Sequence, residues 1–99
     1  MQEKRITVTI INPLGLHARP AAKIVERAKK YADCEVYLER DGDRVNGKSI
    51  MGIMMFAAEQ GSLLDIVAIG SSADECLQDI DLLFKEGFDE MNPPGVPKT

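Results

Sequence analysis

Residues 34–49 read CEVYLERDGDRVNGKS, and two incompatible structures compete for them. From Gly42 onward the letters satisfy the phosphate-loop pattern G-x-x-x-x-G-K-[ST], closing on Gly47-Lys48-Ser49. That reading demands a parallel α/β nucleotide-binding domain. From Cys34 onward, however, Cys34, Val36 and Leu38 alternate with Glu35, Tyr37 and Glu39, the pattern of a half-buried strand. Asp41-Gly42 is then a two-residue hairpin turn and Asp43–Asn46 the short returning strand. A phosphate loop also needs several parallel crossovers after it, yet only 50 residues follow Ser49. It needs an apolar strand ending in a magnesium-binding Asp, and Asp65 lies inside its strand. The hairpin is therefore preferred and ATP binding by this loop rejected. Ser49 is left as the N-cap of the apolar run that follows it.

Working outward, residues 5–10 alternate, with Ile6, Val8 and Ile10 on one face of a predicted strand. Pro13 and Gly15 break it. Ala21, Ile24, Val25 and Ala28 then recur at helical spacing, with Pro20 in the first turn. SIMGIMMFAA, residues 49–58, reads as a second helix, and LLDIVAI, 63–69, as a strand. Ala73, Leu77, Ile80 and Phe84 mark the buried stripe of a last helix, with Asp74 and Glu75 favouring its N-terminus. Dry strand faces with helices to cover them predict an α+β two-layer sandwich with an antiparallel central hairpin. One domain is expected over residues 1–91, followed by a disordered tail, NPPGVPKT, at 92–99. Alternation in the fourth strand puts Leu64, Ile66 and Ala68 toward the helices. It leaves Leu63, Val67 and Ile69 on the outer face, an apolar set suggesting weak self-association against a default monomer.

Composition narrows the function. A net charge of −4 argues against nucleic-acid binding, and no apolar run approaches a membrane span. The N-terminus lacks the apolar core of a signal peptide, so a cytoplasmic location is expected. Cys34 and Cys76 read as buried free thiols. With one histidine and no Cys/His cluster, no metal is expected, and nothing in the sequence calls for a cofactor.

That histidine lies in LGLHARPAA, residues 14–22, between a glycine-containing loop and a helix start. The free N–H groups of Ala18 and Arg19, with the positive end of the helix dipole, form an anion site. The Arg19 guanidinium is suited to grip phosphate oxygens. A helix N-terminus and a nearby guanidinium disfavour imidazolium, keeping His17 a neutral nucleophile. These features describe a phosphorylatable histidine; the plain alternative is a capping or surface histidine.

LGLHARPAA together with KSIMGIMM, residues 48–55, closely resembles the HPr family, the histidine-containing phosphocarriers of the phosphoenolpyruvate-dependent phosphotransferase system of bacteria. The similarity runs from residue 4 to about residue 89. It implies an open-faced sandwich of four antiparallel strands with three helices on one face. It implies that His17 accepts a phosphoryl group on Nδ1 from phosphorylated Enzyme I and passes it to Enzyme IIA-type acceptors, assisted by Arg19. Ser49 matches the serine that a dedicated HPr kinase/phosphorylase modifies in some bacteria, and the N-cap role accounts for it without a kinase. The resemblance also places Ile50, Met51 and Met54 on a partner-docking surface, whereas a Met-rich helix by itself is as readily core. The carrier is expected to be stoichiometric rather than an enzyme with its own turnover. A rival reading is a purely regulatory docking module of the same fold; His17 and Arg19 together argue against it. Sugar uptake and a nitrogen-related branch both remain open.

Overall fold

A computed structural model describes residues 3–91. The predicted tail at 92–99 lies outside them. The elements are β1 (Glu3–Thr9), α1 (Ala18–Lys29), β2 (Glu35–Arg40), β3 (Asp43–Asn46), α2 (Ile50–Met54), β4 (Leu63–Ile69), α3 (Ala73–Lys85) and a 3-10 turn (Gly87–Asp89). The hairpin forms as read: β2 and β3 pair antiparallel, with Leu38 opposite Val45 and Arg40 opposite Asp43. Both turn residues are left-handed, Asp41 at φ 52° and Gly42 at φ 85°, the geometry a twisted two-residue hairpin requires.

The rest of the phosphate-loop letters have structural work. Gly47 donates to the Val36 carbonyl at 2.7 Å. A Cβ on it would come within 2.7 Å of the Val36 side chain. The Lys48 ammonium is spent on the backbone carbonyls of Cys34 and Tyr31, at 2.6 and 3.0 Å. It ties the start of β2 to the chain leaving α1 and is not presented to a ligand.

The sheet is antiparallel in order β1-β4-β2-β3, so the first strand pairs with the last and β1 and β3 form the two edges. Val8, Val36, Leu38, Leu64, Ile66 and Ala68 point to the helical layer and are buried with Ile24, Ala28, Ile53, Ile80 and Phe84. Both cysteines lie in or beside this core as free thiols. Burial pushes the Cys76 thiol up to about 12, which removes it as a nucleophile.

Two expectations are corrected. The second helix is a single short element, Ile50–Met54, rather than one reaching residue 58. The apolar run continues, but Ala57 turns left-handed at φ 47°, and the chain then presents the Ala58 carbonyl to the Leu16 N–H at 3.0 Å. The outer sheet face is also less apolar than alternation implies. Val67 is fully buried there, flanked in register by Arg5 and Tyr37. Arg5 reaches Glu3, Glu39 and Asp65 at 3.0–3.1 Å, and Arg44 bridges Glu39 and Glu3 while stacking over Tyr37. This charged layer roofs Val67 and leaves Leu63 as the exposed large apolar side chain of β4. On the outer sheet face, the described residues therefore do not form the contiguous apolar surface that would favour self-association there.

Candidate functional site

The loop before α1 is held from two sides. Leu16 bonds to Ala58 beyond α2, and Gly15 packs so close to that carbonyl that a Cβ would lie 2.4 Å from it. Asn12, fully buried, donates to the Gly15 carbonyl at 2.8 Å. His17 follows in extended conformation, φ −78° and ψ −170°, as the N-cap residue of α1. Its carbonyl receives the Ala21 N–H at 3.1 Å, but its side chain makes no capping bond.

The first-turn N–H groups of Ala18 and Arg19 thus find no acceptor among the described residues, and Pro20 has none to offer. Imidazoles are poor helix caps compared with Ser or Asp, so this end stays electrostatically open. Pro20 is buried and locks the first turn.

The ring makes no hydrogen bond with those amides. It is half-buried, and Nε2 sits 2.8 Å from Oε1 of Glu90. Asn12 Nδ2 bonds the same oxygen at 3.2 Å, and Arg19 stands 3.9 Å from Oε2. A carboxylate only accepts, so Nε2 carries a proton, and in the neutral imidazole Nδ1 is then the nitrogen with the lone pair. Arg19 is 73% exposed and makes no hydrogen bond to the ring, leaving its guanidinium able to turn toward an incoming anion.

Glu90 and Asn12 were not legible as site residues. Glu90 is 73 positions from His17 and arrives through the turn after α3. The available signal was weak: Gly87 at a helix end followed by an apolar Phe88, which marks a chain reversal onto the core.

Ser49 is the N-cap of α2, and its Oγ accepts the Gly52 N–H at 3.1 Å. Helix α2 lies against α1 and buries Ile53. Ile50, Met51 and Met54 are exposed, as are Met55 and Leu14, which sequence reasoning did not single out. Leu14 belongs to the loop that Leu16 ties to Ala58 beyond α2.

A family model described as "PTS HPr component phosphorylation site" matches residues 4–86. The chain is 46% identical over 84 residues to the phosphocarrier protein HPr of Treponema pallidum, covering 85% of this chain and 94% of the relative. It is 45% identical to that of Pseudomonas aeruginosa, covering 86% and 94%. A crystal structure of HPr from Thermoanaerobacter tengcongensis superposes with a TM-score of 0.83 at 39% identity, covering 88% of this chain and 97% of the other.

Proposed function

The chain belongs to the HPr family, the phosphocarriers of the phosphotransferase system, and from that premise we propose that His17 is its phosphoryl acceptor, at Nδ1. The observation that carries the reading is the pairing of a bare Nδ1 with an uncapped helix end. The Nδ1 lone pair attacks phosphorus in phosphorylated Enzyme I. An N–P bond forms as the donor's bond to phosphorus breaks, and no proton needs to leave His17. The phosphoryl oxygens meet the Ala18 and Arg19 N–H groups and the Arg19 guanidinium, an electrostatic arrangement that suits an anion. Transfer to an Enzyme IIA-type acceptor is the same displacement in reverse. The protein acts as a cytoplasmic, monomeric, stoichiometric carrier with no cofactor of its own.

Ile50, Met51 and Met54 form the docking surface. Exposed methionines adapt to several partners in turn, which a carrier requires. Ser49 is a regulatory site for a dedicated HPr kinase/phosphorylase: a phosphate there adds about two negative charges to the docking surface and opposes binding. Incubation with that kinase and ATP tests this arm. Label on Ser49 with slowed transfer to His17 supports it, and its absence leaves Ser49 as a helix cap.

The test of the main reading is incubation with phosphoenolpyruvate and Enzyme I. Wild type acquires one acid-labile, base-stable phosphoryl group and His17→Ala acquires none. Acid-stable labelling, or labelling of His17→Ala, would contradict it.

A further inference from the structure

We propose that Glu90 is a positioning residue that keeps a proton on Nε2 of His17 throughout the phosphoryl cycle. The inference rests on the reading of His17 as the acceptor and adds a residue that acts through it. Its basis is the construction of the turn that delivers Glu90. Gly87, Phe88 and Asp89 are all left-handed, at φ 60°, 56° and 60°. Such a conformation is unfavourable for Phe and Asp, and it persists only where the surroundings over-determine it. Here they do. Phe88 is 1% exposed and meets Phe84 edge-on with ring centroids 4.9 Å apart. Its carbonyl accepts the Lys23 ammonium at 2.8 Å. The strained turn is thereby clamped to α1 and α3, and the next residue is aimed at His17.

The Glu90 side chain is only 9% exposed, so its carboxylate depends on protein donors. It has Asn12 Nδ2 and His17 Nε2 on one oxygen, with Arg19 near the other. The charged groups facing the ring are Glu90 from the turn and Arg19 from α1. Lys23 is occupied by the Phe88 carbonyl and lies 3.8 Å from Asp89. The loop at 11–16 and helix α2 carry no charged residue.

The chemical consequence follows from charge balance. When neutral imidazole takes a phosphoryl group on Nδ1 and retains the proton on Nε2, the ring becomes a cation. Glu90 is the anion beside it. When the group is passed on, the N–P bond breaks, its electron pair returns to Nδ1, and the ring leaves as neutral imidazole. Without the Nε2 proton the leaving group would be imidazolate, a far poorer one. Glu90 thus acts chiefly on the donating half of the cycle. By occupying Nε2 it also directs phosphorylation to Nδ1.

The experiment uses the full chain with 15N-labelled histidine and phosphoramidate as a small chemical phosphoryl donor, read by 15N and 31P NMR. Wild type should give the Nδ1-phosphoryl isomer alone. Glu90→Ala should give the Nε2 isomer as well. In its Nδ1-phosphorylated form the Nε2 proton should be lost at a pH about one unit lower than in wild type, the scale of one charge-assisted hydrogen bond. Glu90→Gln, which keeps an accepting oxygen and the side chain's size but not the charge, should retain the Nδ1 isomer yet show the pH shift. Equal isomer ratios and equal proton loss in wild type and both variants would overturn the proposal. Failure of the parent reading looks different. Wild type would then refuse phosphate from Enzyme I, while 15N shifts of the free protein would still show Nε2–H depending on Glu90.

Discussion

The starts of α1 and α3 belong to the same helical layer, neither N-cap side chain closes its helix, and the residues just before the two helices are anchored differently. At α3 the N–H of Ser72 and the hydroxyl of Ser71 both donate to one carboxylate oxygen of Asp33, at 2.8 and 2.6 Å. At α1 the N-cap is an imidazole that turns away to Glu90, and the first amides are left open. At α2 the N-cap side chain itself closes the end, Ser49 accepting from Gly52, whereas the Ser72 side chain at α3 makes no cap bond. A closed helix end stabilises the fold. An open one, beside a nucleophilic nitrogen and an exposed guanidinium, is a place for an anion to arrive and leave.

If that contrast is right, mutations at the two kinds of helix end should separate activity from stability. The largest effect is expected from His17→Ala. Phosphoryl acceptance should vanish, while Tm falls by only a few degrees, because the ring makes no capping bond and the one bond lost is that to Glu90; calorimetry beside a labelling assay checks both. Arg19→Ala should leave Tm unchanged because the side chain is 73% exposed. Loss of one charge-assisted contact, about 1.5–3 kcal/mol, should slow transfer roughly ten- to a hundredfold in rapid-quench kinetics. An unchanged rate would remove Arg19 from the mechanism.

The docking helix sharpens the same comparison. Met51→Asp should weaken Enzyme I binding by titration calorimetry about tenfold or more, with little change in Tm, because Met51 is 79% exposed. Its neighbour Ile53, fully buried, should behave oppositely: Ile53→Ala should destabilise by about 2–5 kcal/mol and leave transfer per folded molecule intact.

The smallest effect is expected at the start of α3, where Asp33 holds Ser71 and Ser72. Asp33→Asn should lower Tm by a few degrees with transfer unaffected. Hydrogen bonds, first from Ser71 and then from Ser72, hold the Asp33 carboxyl down at about 2, below its ordinary value of 3.8. A depressed carboxylate stabilises the fold above its unfolded pKa. That contribution should fade as pH falls from about 4 toward about 2. Acid melts of wild type and Asp33→Asn should therefore converge across that window; parallel curves would show that Asp33 does not anchor the start of α3.

Local chemistry made most of the fold readable. The β2–β3 hairpin follows from strict alternation and an Asp-Gly turn, and α3 from a regular apolar stripe opened by acidic residues. The reading overran at α2 because Met55 and Phe56 continue a helical pattern that Ala57 breaks for a tertiary reason, the bond between Leu16 and Ala58. It misjudged Val67 because alternation assigns a face but cannot say that an Arg5 and Arg44 ion network covers it. At the site, His17 and Arg19 were visible as neighbours in one motif. Glu90 was not, since the turn that delivers it is specified by the packing of Phe88 rather than by any pattern around Glu90 itself.

The claim that the open end of α1 is a carrier's site, and not a terminal regulatory mark, is tested most directly by onward transfer. Phosphorylated protein, freed of Enzyme I and phosphoenolpyruvate, is mixed with an Enzyme IIA-type acceptor and both chains are followed by mass spectrometry. The account predicts that His17 loses its phosphoryl group as the acceptor gains one, mole for mole and faster than hydrolysis in buffer. A phosphoryl group that stays on His17, or leaves only to water at the same rate with and without acceptor, would contradict it.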